Sequence, residues 1–199
     1  MKTLVLLAGQ SKRFWPLTEK PLFPIAGKTI LEHIIARLEA SGCTDITLIG
    51  SKYNMKDIES LAELPVIEQE KLELGMRGAL LSALPSCGDE DVLIVGGNDI
   101  IDASAYHATV EAGQQIGMDP STSLRAGGAL LAQTVSRYFP GGYLSVKDDR
   151  TRPNSGSSGR ITGIVEKPGE GKEPSNLVNI VCHYHRNAAM LLDALNKIE

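Results

Sequence analysis

The chain has 199 residues, 42% hydrophobic and 22% charged, with 20 Lys and Arg against 24 Asp and Glu for a net charge of −4. That length predicts one domain over 1–199, able to bury about 70% of its unfolded surface without staples, and the hydrophobic content excludes wholesale disorder. The acidic balance, with a pI near 5.6, excludes a general binder of nucleic acid or of anionic membrane surfaces.

Leu4 to Leu7 is a continuous apolar run closed by Ala8-Gly9 and predicts a strand buried on both faces. After a polar loop, Thr29 is placed to cap a helix through Leu31, Ile34, Ile35 and Leu38, ending at Ser41-Gly42. A strand over 45–50, a helix over 55–64 and a short strand over 65–68 follow. A helix over 75–84, a buried strand over 92–95 and a helix over 105–116 complete the first half. Strands alternating with helices imply parallel crossovers and an open, Rossmann-like, three-layer α/β/α domain with a mostly parallel, mixed central sheet. Ligands of such sheets sit beyond the carboxyl ends of the strands, which marks 9–20 and 96–102 as the candidate site. The second half reads as strands over 129–136, 142–147, 161–166 and 178–184, then a helix over 188–198. Two stretches rich in Ser, Gly and Pro, 119–128 and 151–159, read as surface insertions.

Three cysteines, Cys43, Cys87 and Cys182, are widely spaced, odd in number and without a Cys-x-x-Cys pair. They fit reduced thiols in a cytoplasmic protein. No apolar run approaches the ~18 residues of a membrane span, and the opening residues lead into a strand rather than a signal peptide. His183 and His185, at i and i+2, share one face of a strand, but no third metal ligand lies near them in sequence.

The loop after the first strand carries small residues followed by cations. Ala8, Gly9 and Ser11 allow backbone N–H groups to approach an anion closely, and Lys12, Arg13 and Lys20 add full charges. The alternative is an ordinary turn with solvated cations. The run from Leu7 to Leu31, LAGQSKRFWPLTEKPLFPIAGKTIL, resembles the opening of the sugar-1-phosphate nucleotidyltransferases, also called nucleoside-diphosphate-sugar pyrophosphorylases. Arg13, Pro16, Leu17, Thr18, Lys20, Pro21, Leu22, Pro24, Gly27 and Lys28 fall on that family's pattern in order. Ser11 replaces a second Gly, and the loop before Lys20 is shortened.

Further segments fall in the family's order. Glu68-Gln69-Glu70 followed by Gly75-Met76-Arg77-Gly78-Ala79-Leu80 resembles its base-reading element, where a Gln amide can pair with both donor and acceptor of a pyrimidine edge. VLIVGGNDIID over 92–102 resembles the strand whose terminal Asp binds Mg²⁺. Strict alignment puts Asn98 there, a weaker neutral ligand, so Asp99 is expected to take the metal. Phe139 to Leu144, Ile164-Val165-Glu166-Lys167-Pro168 and Ser175 to Ile180 resemble the sugar-binding elements, with Val181 in place of a usual Gly.

The resemblance, nearest to glucose-1-phosphate thymidylyltransferases and uridylyltransferases, implies the nucleotide-diphospho-sugar transferase fold. It also implies a reaction of NTP with a sugar 1-phosphate that gives NDP-sugar and pyrophosphate. The roles it implies place Leu7, Ala8, Gly9, Gln10, Ser11 and Lys12 on the nucleotide, with Gln69 and Gly75 on its base. Arg13, Lys20 and Lys167 become the catalytic cations, Gly142, Glu166 and Asn179 hold the sugar, and Asp99 with Asn98 holds Mg²⁺. The implied partners are an NTP (dTTP or UTP) and a sugar 1-phosphate, without nucleic acid or membrane; a homo-oligomer is left open. The alternatives are transfer to another phosphorylated acceptor, of phosphocholine or molybdopterin type, and a non-catalytic sugar-nucleotide-binding or regulatory module. The chain is short for the family and ends where a second metal carboxylate is expected, so it reads as a compact or C-terminally truncated core.

Overall fold

The computed structural model describes residues 1–9, 19–116, 127–147 and 159–198. The segments 10–18, 117–126, 148–158 and residue 199 lie outside it, and with them most of both expected insertions. Contacts divide the chain into two compact units, Met1–Ala129 with Val181–Glu199, and Leu130–Ile180.

The first unit is built on β1 (Lys2–Leu6), β4 (Ile46–Gly50), β5 (Val66–Glu68) and β6 (Val92–Gly96), with β10 (Leu177–His185) contributing its last residues. The strands run β5-β4-β1-β6 in parallel, and β10 closes this part of the sheet antiparallel to β6, pairing Cys182 with Val95 and His185 with Val92. Both β4 and β6 are buried at all five positions, as expected of a parallel sheet with both faces covered. Leu4, Ile49 and Ile94 pack on one face against α3 (Gly75–Ala83) and Ala188 of α5 (Ala188–Asn196). Burying an aliphatic side chain of this kind contributes roughly 1.5–3 kcal/mol.

Helix α1 (Ile30–Ala40) starts where the sequence places it. The Thr29 hydroxyl accepts the Glu32 N–H at 3.1 Å, and the Glu32 carboxylate accepts the Thr29 N–H at 2.6 Å. This reciprocal box satisfies two N–H groups that the helix start would otherwise leave unpaired. The same two bonds from Thr29 hold the Glu32 carboxyl below the usual carboxylate range. The chain reaches Thr29 through a 3-10 turn, Lys20–Leu22, and a small hairpin of β2 (Pro24–Ile25) with β3 (Lys28–Thr29). Neither was expected from the sequence. Helix α2 (Met55–Leu61) links β4 to β5, and α4 (Ala103–Ile116) follows β6 and contacts α1.

In the second unit, β8 (Gly142–Lys147) and β9 (Arg160–Glu166) form an antiparallel pair from Gly142↔Glu166 to Lys147↔Arg160, with a register shift at Ser145/Val146. The early part of β10 joins β8 antiparallel at Val178↔Tyr143, and β7 (Gly128–Thr134) also pairs with β10. The Phe139 N–H donates to the Tyr143 hydroxyl at 2.7 Å, and Ser175 Oγ donates to the Leu144 carbonyl at 2.7 Å, closing the turns at this end of the unit.

The expected excursion at 119–128 ends earlier than the sequence implies. The Arg186 N–H holds the Gly127 carbonyl at 3.0 Å, and Gly128 already begins β7. All three cysteines are free and buried. Among the described residues no helix is long and apolar enough to cross a membrane.

Candidate active site

The carboxyl ends of the parallel strands in the first unit are sewn together by backbone bonds. The Leu7 N–H donates to the Ile49 carbonyl at 2.8 Å, Gly97 N–H to Leu6 at 3.0 Å, and Gln69 N–H to Gly50 at 2.8 Å. These bonds place Leu7–Gly9, Gln69 and Asn98-Asp99 along one edge of the sheet, where open α/β sheets bind ligands. Gly97 is required by its surroundings, because a Cβ there would lie 2.4 Å from Leu7 Cδ2 and 2.8 Å from the Leu6 carbonyl oxygen. Its small size lets β6 close on β1.

Leu7 and Ala8 are buried, and both backbone groups of Leu7 are already paired, its N–H with the Ile49 carbonyl and its carbonyl with Asn54 Nδ2. Among the described residues, a Cβ on Gly9 would meet nothing within 4 Å. Gln10, Ser11, Lys12 and Arg13 lie outside the described residues. Lys20 opens the 3-10 turn, half-buried, with its carbonyl accepting the Phe23 N–H at 3.1 Å.

Asn54, which the sequence does not single out, is buried between Leu7, Ser51 and Glu19. Its Nδ2 donates to the Leu7 carbonyl at 3.0 Å and to Glu19 Oε2 at 3.1 Å, while its Oδ1 accepts the Ser51 N–H at 2.8 Å. One side chain therefore ties Leu7, at the end of the first strand, to Glu19. Burial pushes the Glu19 carboxyl above its ordinary range, although the bond from Asn54 opposes that shift.

Gln69 is buried. Its Nε2 donates to the Lys71 carbonyl at 2.9 Å and to the Gly75 carbonyl at 2.8 Å. A carboxamide nitrogen has two hydrogens, and both are committed. These two bonds leave Oε1 as the amide atom open to a base. Gly75 has φ +56°, a left-handed conformation suited to glycine, at the start of α3. Gly78 lies under the same turn, where a Cβ would fall 2.2 Å from the Lys71 carbonyl oxygen and 2.7 Å from Gln69 Nε2. Arg77 reaches the end of α5, its Nε donating to the Leu195 carbonyl at 3.2 Å and its guanidinium also to Ile198.

Asn98 and Asp99 are exposed beyond β6. Their hard oxygen donors fit Mg²⁺, which commonly takes one or two carboxylates and leaves its other positions to water and phosphates. Among the described residues no group of three His, Cys, Asp or Glu side chains is placed to hold a metal. That includes His183 and His185, whose rings meet edge to face with centroids 6.3 Å apart. Val181, where the sequence departs from the family pattern, faces Gly96, whose added Cβ would lie 3.0 Å from the Val181 Cβ. The glycine provides the room that the valine fills.

The second unit gathers three of the expected sugar-binding residues. Gly142 pairs with Glu166, and a Cβ on Gly142 would sit 3.1 Å from Glu166 Oε2 and 3.9 Å from the Asn179 Cβ. The Lys167 ammonium lies 3.4 Å from Glu166 Oε1, with both side chains more than half exposed, so the pair adds little stability. Lys167 has φ +45°, and its N–H donates to the Gly141 carbonyl at 3.0 Å. A left-handed lysine is uncommon and costs on the order of 1–3 kcal/mol, a feature that concentrates at ligand sites.

The mixed, mostly parallel sheet with helices and loops at its strand ends defines the nucleotide-diphospho-sugar transferase fold. A solved UDP-glucose pyrophosphorylase in complex with UDP-glucose superposes with a TM-score of 0.74 over 100% of this chain and 80% of its own, at 18% identity. A Bacillus anthracis protein assigned as a glucose-1-phosphate thymidylyltransferase gives 0.78 over 100% and 76%, at 21% identity. Residues 2–199 match the nucleotidyl transferase family, and the chain belongs to that family. Among curated relatives, the bifunctional protein GlmU of Methanococcus maripaludis is 32% identical over 185 residues, 90% of this chain and 38% of its own length. The low-salt glycan biosynthesis nucleotidyltransferase Agl11 of Haloferax volcanii is 28% identical over 210 residues, 100% of this chain and 52% of its own. The chain thus spans between about a third and a half of these relatives.

Proposed function

We propose that this chain transfers a nucleotidyl group from an NTP to a sugar 1-phosphate, releasing pyrophosphate. The observation that carries the reading is the Gly142–Glu166–Asn179 cluster, with the left-handed Lys167 beside it. A carboxylate and an asparagine flanking the same glycine suit sugar hydroxyls, and an adjacent ammonium suits the phosphate attached to them. The sugar-phosphate oxygen is already anionic, so the step needs no general base. It attacks the α-phosphorus in line; a new P–O bond forms and the bond to the β-phosphate oxygen breaks, leaving pyrophosphate.

What the protein supplies is alignment and charge. In this scheme Arg13 and the backbone of Gly9 to Lys12 hold the β- and γ-phosphates. Lys20 and Lys167 neutralise the reacting phosphates, and Glu166 with Asn179 orients the sugar. Asp99, assisted by Asn98, would hold Mg²⁺, which when bound supplies positive charge to the phosphate oxygens. A cytoplasmic location accords with the three free, buried thiols.

Pyrophosphate release from the NTPs with a panel of sugar 1-phosphates tests the proposal. Release that depends on both substrates supports it, whereas NTP binding with no Mg²⁺-dependent release replaces transfer by binding alone. Release with a non-sugar phosphorylated acceptor only would move the chain to a different transfer reaction.

A further inference from the structure

The backbone is anchored on both sides of Lys20, while its ammonium makes no hydrogen bond or ion pair with any described residue. Lys20 opens the 3-10 turn Lys20–Leu22, where Pro21 is buried and the Leu22 N–H donates to the Glu19 carbonyl at 3.0 Å. On the other side, Glu19 Oε2 accepts from Asn54 Nδ2 at 3.1 Å. We infer that Glu19, held by Asn54, is a positioning residue for Lys20. It fixes the backbone that carries the lysine and keeps the lysine's charge uncommitted, so that the ammonium is available to a phosphate. This role presupposes the place of Lys20 in the reaction proposed above.

The anchor is rigid. Asn54 is 3% exposed, its Oδ1 accepts the Ser51 N–H at 2.8 Å, and its Nδ2 also donates to the Leu7 carbonyl at 3.0 Å. Turning the amide over would set an oxygen against the Leu7 and Glu19 oxygens and an NH₂ against an N–H. Nδ2 is therefore the atom that faces Glu19. Ser51 follows β4 and Leu7 follows β1, so the bond refers Glu19 to the carboxyl ends of two central strands.

Adjacent opposite charges attract, and an ammonium that leans on a carboxylate has less charge to give a phosphate. Glu19 and Lys20 are neighbours of this kind, yet they form no ion pair. The bond from Asn54 holds the carboxylate elsewhere. Placement matters as much as charge, since a shift of about 1 Å at a reacting group can cost ~10²-fold in rate. Were the bond to Asn54 only a strap on the chain, losing it would cost as much with Lys20 absent as with Lys20 present.

Pyrophosphate release by the full chain, measured in the wild type, Glu19→Ala, Glu19→Gln, Lys20→Ala and the double variant Glu19→Ala/Lys20→Ala, tests this directly. Glu19→Ala should lower kcat by ~10- to 100-fold and change KM for the NTP less. Glu19→Gln, whose amide oxygen still accepts from Asn54, should recover most of that loss. In the Lys20→Ala background the Glu19→Ala change should cost no more than ~2-fold, because no ammonium is left to position. Equal losses in the two backgrounds, a Glu19→Ala kcat within ~2-fold of the wild type, or a Glu19→Gln loss as large as that of Glu19→Ala overturns the inference and leaves the proposed transfer standing. Near-normal turnover in Lys20→Ala removes the lysine's part in the reaction, and the role of Glu19 with it. No release by the wild type overturns the proposed function and this inference together.

Discussion

Asn54 concentrates more of the site's organisation than any residue the sequence alone singled out. Its four partners, the Leu7 carbonyl, the Glu19 carboxylate and the N–H and hydroxyl of Ser51, use the whole hydrogen-bonding capacity of one amide. Asn54→Ala leaves a buried carbonyl and a buried N–H unmatched, at ~1–3 kcal/mol for each. Urea unfolding should therefore show a loss of roughly 2–4 kcal/mol, and KM for the NTP should rise, because Leu7 and Glu19 bracket the expected phosphate loop. An unchanged midpoint and an unchanged KM would deny it both roles. Sequence could not reveal this residue. It lies 47 positions from Leu7 and 35 from Glu19, and only the pairing of β1 with β4 brings them together. Gln69 was legible as a site position, but which of its amide atoms faces a ligand depends on where the Lys71 and Gly75 carbonyls fold.

At the scale of elements, the strands and helices of the first half follow from what each short segment contains. Apolar runs ended by small residues became β1 and β6, the 45–50 segment became β4, and the Thr29/Glu32 spacing became a capping box. The β2–β3 hairpin was missed because strands of two residues carry no alternation to read. Helix α3 separates local propensity from packing. Gly78→Ala should stabilise a free helix by ~1 kcal/mol, yet the added methyl would meet the Lys71 carbonyl at 2.2 Å. A clash with backbone outweighs propensity, so the substitution should lower stability by ~1–3 kcal/mol and shift the turn that Gln69 holds. A stabilised Gly78→Ala protein would show that the turn gives way freely.

Over the whole molecule, the division into two units was not legible, because β10 is one unbroken strand with residues in both. Stability of the fold should also respond to acid. Burial lowers the His185 pKa from its ordinary 6.5, so the unfolded chain binds this proton first. The stabilisation is present above pH 6.5 and is lost as pH falls below it. Glu19, raised by burial, acts in the opposite sense and loses its contribution as pH rises above 4.5. The thermal midpoint should fall as pH drops from 7 towards 5, and His185→Gln should flatten that slope; an identical slope in the variant would remove His185 as its source. The central claim, nucleotidyl transfer to a sugar phosphate, is tested most directly by Mg²⁺-dependent pyrophosphate release from each NTP, with and without sugar 1-phosphates, in the wild type and Arg13→Ala. Release that needs both substrates and falls by several orders of magnitude in a folded Arg13→Ala protein is the expected outcome. No release with any pairing, or near-normal release in Arg13→Ala, would rule out nucleotidyl transfer by this site.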